Sequence, residues 1–368
     1  MKVALLSDCY PPRTGGIESQ VSDLAAHLAV AGHEVEVFTA TPGAEGAGQG
    51  AVERSGAVTV HRMSTPWAAG VPVNPFARSE VSRRLRSGAF DVAHVHLGVV
   101  SPFAWDMVGV TTRADLPTAL TWHCVLGRAG PVLGPAVRRW AGRGAVLSAV
   151  SGFAAQGVRR AAKGEPVTVL PNGIDPAVWS GGPATGRSRP VRVVTASRLA
   201  PRKRIGALLE VVAAAHDRVG PGAMTLDLYG DGPLRPWLEA RVRALGLSHV
   251  VRLRGRVTRS RLAEAWADAD VYLSPTRLEA FGIAALEART AGLPVIARGD
   301  SGVREVITDG VSGLLADDDD GLGDALVRLV ADETLRTRIN RHNIATPPAQ
   351  TWDRVVQLAL SEYRRAGA

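Results

Sequence analysis

Cysteine is scarce in this sequence. Two residues, Cys9 and Cys124, stand in a chain of 368. That is too few for a disulfide framework and fits a reducing compartment. Long apolar runs are also missing. The best stretch, Gly144 to Val158, falls short of the ~20 residues that span a bilayer and is flanked by arginines. The opening run MKVALLS meets Asp8 at once, so it reads as a first strand and not as a secretory signal. Aromatic residues make up only 5% and are not interleaved with basic ones on any element, which speaks against a nucleic-acid surface. The three-glycine dinucleotide fingerprint is missing after every predicted strand, which disfavours a NAD-dependent dehydrogenase. His94 and His96 alternate on one strand and share a face, but no acidic or cysteine partner sits nearby in sequence. No metal site is therefore expected there.

What is present is ordinary in bulk. Hydrophobic residues make up 46% and charged residues 21%, and the length suits two or three domains. The formal net charge of +8 fits anionic partners or, equally, solvated surface arginines. Strand-like runs recur at Lys2–Ser7, Glu34–Ala40, Val58–Met63, Val92–His96, Thr118–His123, Ala145–Ser151 and Val167–Asn172. Several are rich in Val and Leu without strict alternation, as in strands buried on both faces of a parallel sheet. Helical patterns fall between them. Ile17, Val21, Leu24 and Leu28 recur on one helical face, and Gly32 stops the helix. Ser180 to Pro190 reads as a Gly/Pro/Ser-rich connector, and Gly43 to Gly50 as a flexible loop. The rhythm then restarts with Val191–Ser197, Thr225–Gly230, Val250–Gly255, Val271–Thr276, Pro294–Gly299 and Gly313–Ala316. The expected class is α/β: two doubly wound domains facing a central cleft, with ligands at the carboxyl ends of the strands. The boundary is placed between 172 and 173.

Four stretches carry the candidate chemistry. Glu279-Ala-Phe-Gly-Ile-Ala-Ala-Leu-Glu287 follows a strand and opens a helix. Phe281, Gly282 and Ile283 would sit at the helix start, where unpartnered amides make a diphosphate seat. Glu279 and Glu287 could then hold two sugar rings by their hydroxyls. The spacing alone fits a plain amphipathic helix equally well. Arg198 and Lys203, after the strand VRVVTAS, could neutralise a diphosphate, or form a solvated basic loop. Gly15 and Gly16 precede a helix and allow a phosphate close approach, although most such pairs are plain turns. His123 ends the strand TALTWH and could bond substrate, move a proton or be structural. The run Asp317–Asp320 is expected to favour the start of a helix. Cys9 and Cys124 both follow strands and are expected near the ligand-facing edge.

Taken in order, the stretches resemble glycosyltransferase family 4, the retaining enzymes of the GT-B fold. The set runs Gly15–Gly16–Ile17–Glu18, Asp91-Val-Ala-His94-Val-His96, Thr121-Trp-His123 and Leu170-Pro-Asn172-Gly173-Ile-Asp175. It continues through Ser197-Arg198-Leu with Lys203, Tyr229-Gly-Asp-Gly232-Pro, Glu279-Ala-Phe-Gly-Ile with Glu287, and Ala291-Gly-Leu-Pro-Val. It spans nearly the whole chain and is similar to the mannosyl-, glucosyl- and N-acetylglucosaminyltransferases of actinobacteria. The departure is Arg204, where many members have glycine after the matched lysine.

The resemblance implies an N-terminal acceptor domain, residues 1–172, joined by a last helix over 352–368 that crosses back to it. A donor domain would cover 173–351. It implies transfer of a hexosyl group from a UDP- or GDP-linked sugar to a hydroxyl, on a lipid such as phosphatidylinositol or on a soluble small molecule. Gly16 would contact the donor phosphate, Arg198 and Lys203 the diphosphate, and Glu279 the transferred sugar. Phe281, Gly282 and Ile283 would offer backbone groups and Glu287 would bind the ribose. The backbone around Val257 would meet the base, and His123 would lie near the transferred sugar and acceptor. No cofactor and no metal are implied, and the leaving phosphate would take the acceptor's proton. Domain closure would accompany binding. The expected place is the cytoplasm, with peripheral contact at the anionic inner face of the membrane through the basic segment Asn74–Arg86. The competing readings are a GT-B sugar-nucleotide epimerase or phosphorylase, and a non-catalytic sugar-nucleotide-binding protein.

Overall fold

The computed structural model describes residues 1–44, 46, 48, 50–65, 74, 76–180 and 190–368. Residues 181–189 of the connector, Glu45, Ala47 and Gln49 of the Gly43–Gly50 loop, and Pro75 lie outside the described residues. The chain divides into two compact units, Met1–Gly173 with Gln350–Ala368, and Ile174–Ala349.

The first unit runs β1 (Lys2–Ser7), α1 (Gly16–Val30), β2 (Glu34–Thr39), β3 (Val52–Ser55), β4 (Val58–Arg62), α2 (Ala77–Ser87), β5 (Val92–Leu97) and α3 (Pro102–Thr111). It continues with β6 (Thr118–Trp122), α4 (Gly130–Ala141), β7 (Val146–Ala149), α5 (Gly152–Ala162) and β8 (Val167–Val169). The sheet order is β3-β4-β2-β1-β5-β6-β7-β8. Every pairing is parallel except β3 with β4. All six residues of β5 are buried, which is why its sequence shows no alternation. The antiparallel edge β3 escaped the sequence pattern. It is short, and three of its four residues are exposed, so no apolar face marks it. Gly32 takes φ 85°, open to glycine, and turns α1 into β2.

The second unit runs β9 (Val191–Ala196), α6 (Ile205–Val219), β10 (Met224–Tyr229), α7 (Arg235–Ala244), β11 (Val251–Gly255), α8 (Arg259–Ala267) and β12 (Val271–Ser274). It closes with α9 (Ile283–Thr290), β13 (Val295–Arg298), β14 (Gly313–Ala316), α10 (Asp319–Ala331) and α11 (Glu333–Ala345). Its six strands are ordered β11-β10-β9-β12-β13-β14, all parallel. The acidic run Asp317–Asp320 starts α10, with the Asp318 carboxylate accepting from the Gly321 amide. The two sheets and their helices are the two Rossmann-like domains that the sequence rhythm predicts.

The last helix, α12 (Trp352–Arg365), belongs to the first unit. Trp352, Val355, Val356, Ala359 and Tyr363 join Val3, Leu5, Leu24 and Leu28 in one core. Gly173 makes the room: a Cβ there would lie 2.5 Å from the Trp352 indole. The Gln20 side chain holds the Gly173 backbone at both ends, accepting from its N–H at 2.8 Å and donating to its carbonyl at 3.0 Å.

A one-directional chain of hydrogen bonds ties α12 to the sheet. Ser148 Oγ donates to the Leu120 carbonyl, so towards Thr121 it can only accept. Thr121 spends its proton there and accepts from His94 Nε2 at 2.7 Å. Burial pushes His94 down to about 3, so the ring is neutral and its Nδ1 accepts from the Tyr363 hydroxyl at 3.0 Å. Both rings are fully buried. Tyr363→Phe keeps the ring but strands the His94 acceptor. It is expected to lower the stability of this unit by about 1–3 kcal/mol, measured as the urea midpoint. An unchanged midpoint would refute this chain of bonds.

Candidate active site

In an open parallel sheet, ligands gather where the strand order reverses, at the carboxyl ends. In the second unit that point lies between β9 and β12. The loops leaving these strands meet there, with Lys203 Nζ 2.7 Å from Glu279 Oε2 and each side chain 21% exposed.

The β9 loop is shaped by its neighbour. Ser197 N–H donates to the Tyr229 carbonyl and Leu199 N–H to that of Asp231, at 3.1 and 2.9 Å. Gly230 sits at φ 121°, and a Cβ on it would come 2.0 Å from the Ser197 carbonyl oxygen. The stretch Tyr229-Gly-Asp-Gly232 therefore clamps the Arg198 loop. Arg198 is exposed, with no side-chain bond or ion pair to a described residue. Arg204 caps α6 with φ 55°, a left-handed conformation. Its guanidinium grips Asp319 with both arms, at 2.8 and 2.7 Å, and reaches the Pro275 carbonyl at 3.3 Å. The departure from glycine keeps glycine's backbone shape, and the arginine uses its side chain to tie the β9 loop to α10.

The β12 loop is supported from behind. Gly302 N–H donates to the Glu279 carbonyl at 2.8 Å, and a Cβ on Gly302 would fall 2.0 Å from the Ala280 carbonyl oxygen. Gly282 takes φ 92° as the cap of α9, and no side chain caps that helix. Ile283 is the first helical residue. The Phe281 side chain is 2% exposed, so only its backbone can serve a ligand. Glu287 is half-buried, about one turn into α9. Burial, with the charges of Glu279 and then Glu287, pushes the buried Tyr272 phenol up. Val257 follows β11, beside Gly255, whose carbonyl accepts from Gly230 N–H at 2.8 Å.

The first unit reverses between β1 and β5, and its seat is filled. Asp8, 3% exposed, accepts from the Phe103 and Ala104 amides of α3 at 3.1 Å each. Burial pushes its carboxyl up to about 6 against those bonds. Gly15 caps α1 with extended backbone at φ 168°, and a Cβ there would be 2.4 Å from Glu18 Oε2. The buried Glu18, paired with Arg13 at 3.0 Å, thus packs its carboxylate against Gly15. Gly16 is exposed at the first position of α1. Burial, and next the Glu18 charge, pushes the Cys9 thiol up to about 12, which makes it unreactive at neutral pH.

His123 stands one residue past β6, half-buried. Its Nε2 lies 3.0 Å from Nδ1 of His96, a residue the sequence suggested only as half of a metal site. Burial pushes His123 down to about 4 despite a hydrogen bond with Asn172, so it is neutral at pH 7. Three of the four arginines on α2 have an acidic partner, and Arg86 bonds the Ser82 hydroxyl. Arg78 bonds Asp106, Arg83 and Arg84 bond Glu80, and Arg84 also reaches His61. Among the described residues no helix is long and apolar enough to cross a membrane.

Family comparisons match both halves of the chain. A model described as Glycosyltransferase Family 4 matches residues 14–178, and one described as Glycosyl transferases group 1 matches residues 190–332. A GDP-mannose-dependent alpha-(1-6)-phosphatidylinositol monomannoside mannosyltransferase of Mycolicibacterium smegmatis is 30% identical over 353 residues, covering 89% of each chain. A D-inositol 3-phosphate glycosyltransferase of Xylanimonas cellulosilytica is 27% identical over 401 residues, covering 96% of this chain and 92% of the relative. In fold, sucrose-phosphate synthase from Thermosynechococcus elongatus superposes with a TM-score of 0.79 at 20% identity, covering 99% of this chain and 98% of its own.

The Arg204 geometry separates strain from pairing. Arg204→Ala and Arg204→Gly both lose the bond to Asp319, but only alanine keeps a Cβ in left-handed backbone. Alanine should therefore be the less stable by about 1–2 kcal/mol, read from thermal or urea unfolding. Equal stabilities would show that the backbone relaxes once the ion pair is gone.

Proposed function

The chain belongs to glycosyltransferase family 4, and we propose that it moves a hexose from a UDP- or GDP-linked donor to a hydroxyl of a phosphorylated inositol. That acceptor is carried on a lipid or free in the cytoplasm. The observation that carries the donor side is the uncapped start of α9 beside the Lys203–Glu279 pair, at the reversal point of the second sheet. Helix amides and two cations, Arg198 and Lys203, suit a diphosphate. The named activities of the two relatives support an inositol acceptor.

Transfer proceeds with retention and without metal. The bond from the sugar C1 to the diphosphate oxygen breaks while the acceptor oxygen bonds C1 on the same face. The acceptor's proton passes to the departing phosphate. Lys203, Arg198 and the amides of Ile283 and its neighbours stabilise the leaving charge. Glu279 and Glu287 hold the hydroxyls of the transferred sugar and the ribose. The backbone at Val257 meets the base, and Gly15 and Gly16 leave room for the donor phosphate. With a lipid acceptor the enzyme works at the inner face of the membrane, in peripheral contact with it. Nucleic acid is not a partner.

The first test is titration calorimetry of the full chain with UDP, GDP, UDP-glucose and GDP-mannose, followed by transfer assays. The acceptor arms are inositol 3-phosphate in solution and phosphatidylinositol vesicles. One nucleotide series should bind, and Lys203→Met should weaken it at least about tenfold. Glu279→Gln should leave nucleotide affinity within about twofold but cut transfer by about 100-fold. No binding by either series, or full affinity in Lys203→Met, would refute the donor site. A covalent glycosyl-enzyme in Glu279→Gln, found by mass spectrometry, would refute the front-face route.

A further inference from the structure

We propose that Arg62 is a positioning residue for transfer: aimed by Glu53, it holds the loop between β1 and α1 in place, and with it the Gly15–Gly16 pair that leaves room for the donor phosphate. The inference rests on the reading above that Gly15 and Gly16 face the donor.

The loop has few amides with which to hold itself. Tyr10 is followed by Pro11 and Pro12, which have no N–H to give, so between Tyr10 and Arg13 the backbone can be tied only through its carbonyls. The Tyr10 amide donates to Thr41 Oγ1 at 3.1 Å, and that hydroxyl donates on to the Asp8 carbonyl at 2.8 Å. Thr41 stands two residues past β2, so these bonds fix the first part of the loop to the end of the neighbouring strand. Farther on, the Arg13–Glu18 pair and the Gly15 cap fix the loop to α1. Pro11 lies between the two anchors, and its carbonyl accepts from Arg62 Nη1 at 2.8 Å.

Arg62 ends β4, and its side chain is 6% exposed. The same Nη1 donates to the Thr41 carbonyl at 3.3 Å, so one nitrogen bridges the β1–α1 loop and the segment after β2. The guanidinium also lies over the Tyr10 ring, 5.6 Å from its centroid. A charge so buried needs a counter-charge. Glu53 supplies it: one carboxylate oxygen accepts from Nε at 3.1 Å and from Nη2 at 2.9 Å. A planar fork gripped along one side has its other side aimed, and here the other side meets the two carbonyls. The edge strand that left no mark in the sequence thus has a task. β3 pairs antiparallel with β4 and brings Glu53 alongside Arg62.

The consequence falls on the start of α1. Gly16 opens that helix and is exposed, so a phosphate that meets its amide finds it where the loop has put it. A displacement of about 1 Å can cost about 100-fold in rate. Freeing the Pro11 carbonyl should therefore act on transfer and leave the diphosphate seat of the second unit alone.

The test is steady-state transfer by the full chain, alongside deuterium uptake at the Tyr10 amide. The donor is UDP-glucose or GDP-mannose, whichever the wild type uses, and the acceptor is inositol 3-phosphate or phosphatidylinositol vesicles. Arg62→Met should lower kcat by about 10- to 100-fold, keep nucleotide affinity within about twofold and speed Tyr10 exchange about tenfold. Arg62→Lys, whose ammonium can serve both carbonyls from near the place of Nη1, should keep kcat within about threefold of the wild type. A tie that served stability alone would shift the unfolding midpoint and leave kcat where it was. A folded Arg62→Met with wild-type kcat or wild-type Tyr10 exchange would therefore overturn the proposal, and so would an Arg62→Lys as slow as Arg62→Met. If Arg62→Met does not fold, Glu53→Ala decides, since Glu53 lies on an edge strand with three of its four residues exposed. Its kcat should fall by about 3- to 10-fold, and Glu53→Gln, which keeps an acceptor oxygen, should restore it. Wild-type kcat in Glu53→Ala would overturn the proposal. No nucleotide binding by the wild type would instead sink the donor reading, and this inference with it.

Discussion

The start of an α-helix presents amides that the helix cannot satisfy, and something outside must accept from them. The two units meet this constraint in opposite ways at equivalent points of their sheets. In the first, the Asp8 carboxylate at the end of β1 accepts from Phe103 and Ala104 and fills the start of α3. In the second, no side chain caps α9. A seat filled by the chain's own carboxylate is structural, and a seat left open is where an anion belongs. Much of the second unit's loop architecture serves that open seat. Gly282 bends the chain into α9, Gly302 allows support from behind, and Gly230 lets the neighbouring loop press against the backbone that carries Arg198.

Charge is arranged to keep that seat rigid and ready. Arg204 joins Asp319, Asp319 lies 3.8 Å from Arg298, and Arg298 is bonded to Asp300, so the ends of β13 and α10 and the β9 loop are linked by ion pairs. The Lys203–Glu279 pair is partly exposed, so its own contribution to stability is small. Its value is positional: it holds a cation and a carboxylate side by side until a ligand with phosphate and hydroxyl groups can separate them. On α2, Arg78 is paired with Asp106 and Arg83 and Arg84 share Glu80, while Arg86 bonds the Ser82 hydroxyl, so the helix keeps part of the +8 excess.

Most of the fold was legible because parallel strands buried on both faces leave an unmistakable run of Val, Ile and Leu, and because glycines punctuate the turns. β3 was not legible, since an exposed edge strand has no face to register. Of the site, the residues whose chemistry is local could be read. Lys203 and Glu279, singled out from the loops after β9 and β12, are paired in the structure, and Gly282 caps α9. Roles set by distant residues could not. Gly15 packs against the Glu18 carboxylate, Phe281 is buried, and Arg204 in left-handed backbone bonds Asp319, 115 positions away. His96 is the clearest case. Sequence showed two alternating histidines, and only the packing of β5 against β6 shows that one of them holds His123.

The surroundings of His123 bear on the chemistry of transfer. A retaining reaction needs either a nucleophile on the far face of the sugar or a base on the near face. Glu279 is bound to Lys203, and a carboxylate held against a cation is a weak nucleophile. Burial pushes His123 down to about 4, so it is a poor base at neutral pH. On the proposed front-face route the base is the group the reaction itself creates, the departing phosphate oxygen. A site that binds this oxygen too tightly would lower its basicity and slow the proton's departure. In the proposed site, helix amides and two cations, Arg198 exposed and Lys203 shared with Glu279, spread the charge without neutralising it. On that proposed route, the open seat at α9 holds a leaving group that keeps enough charge to act as the base.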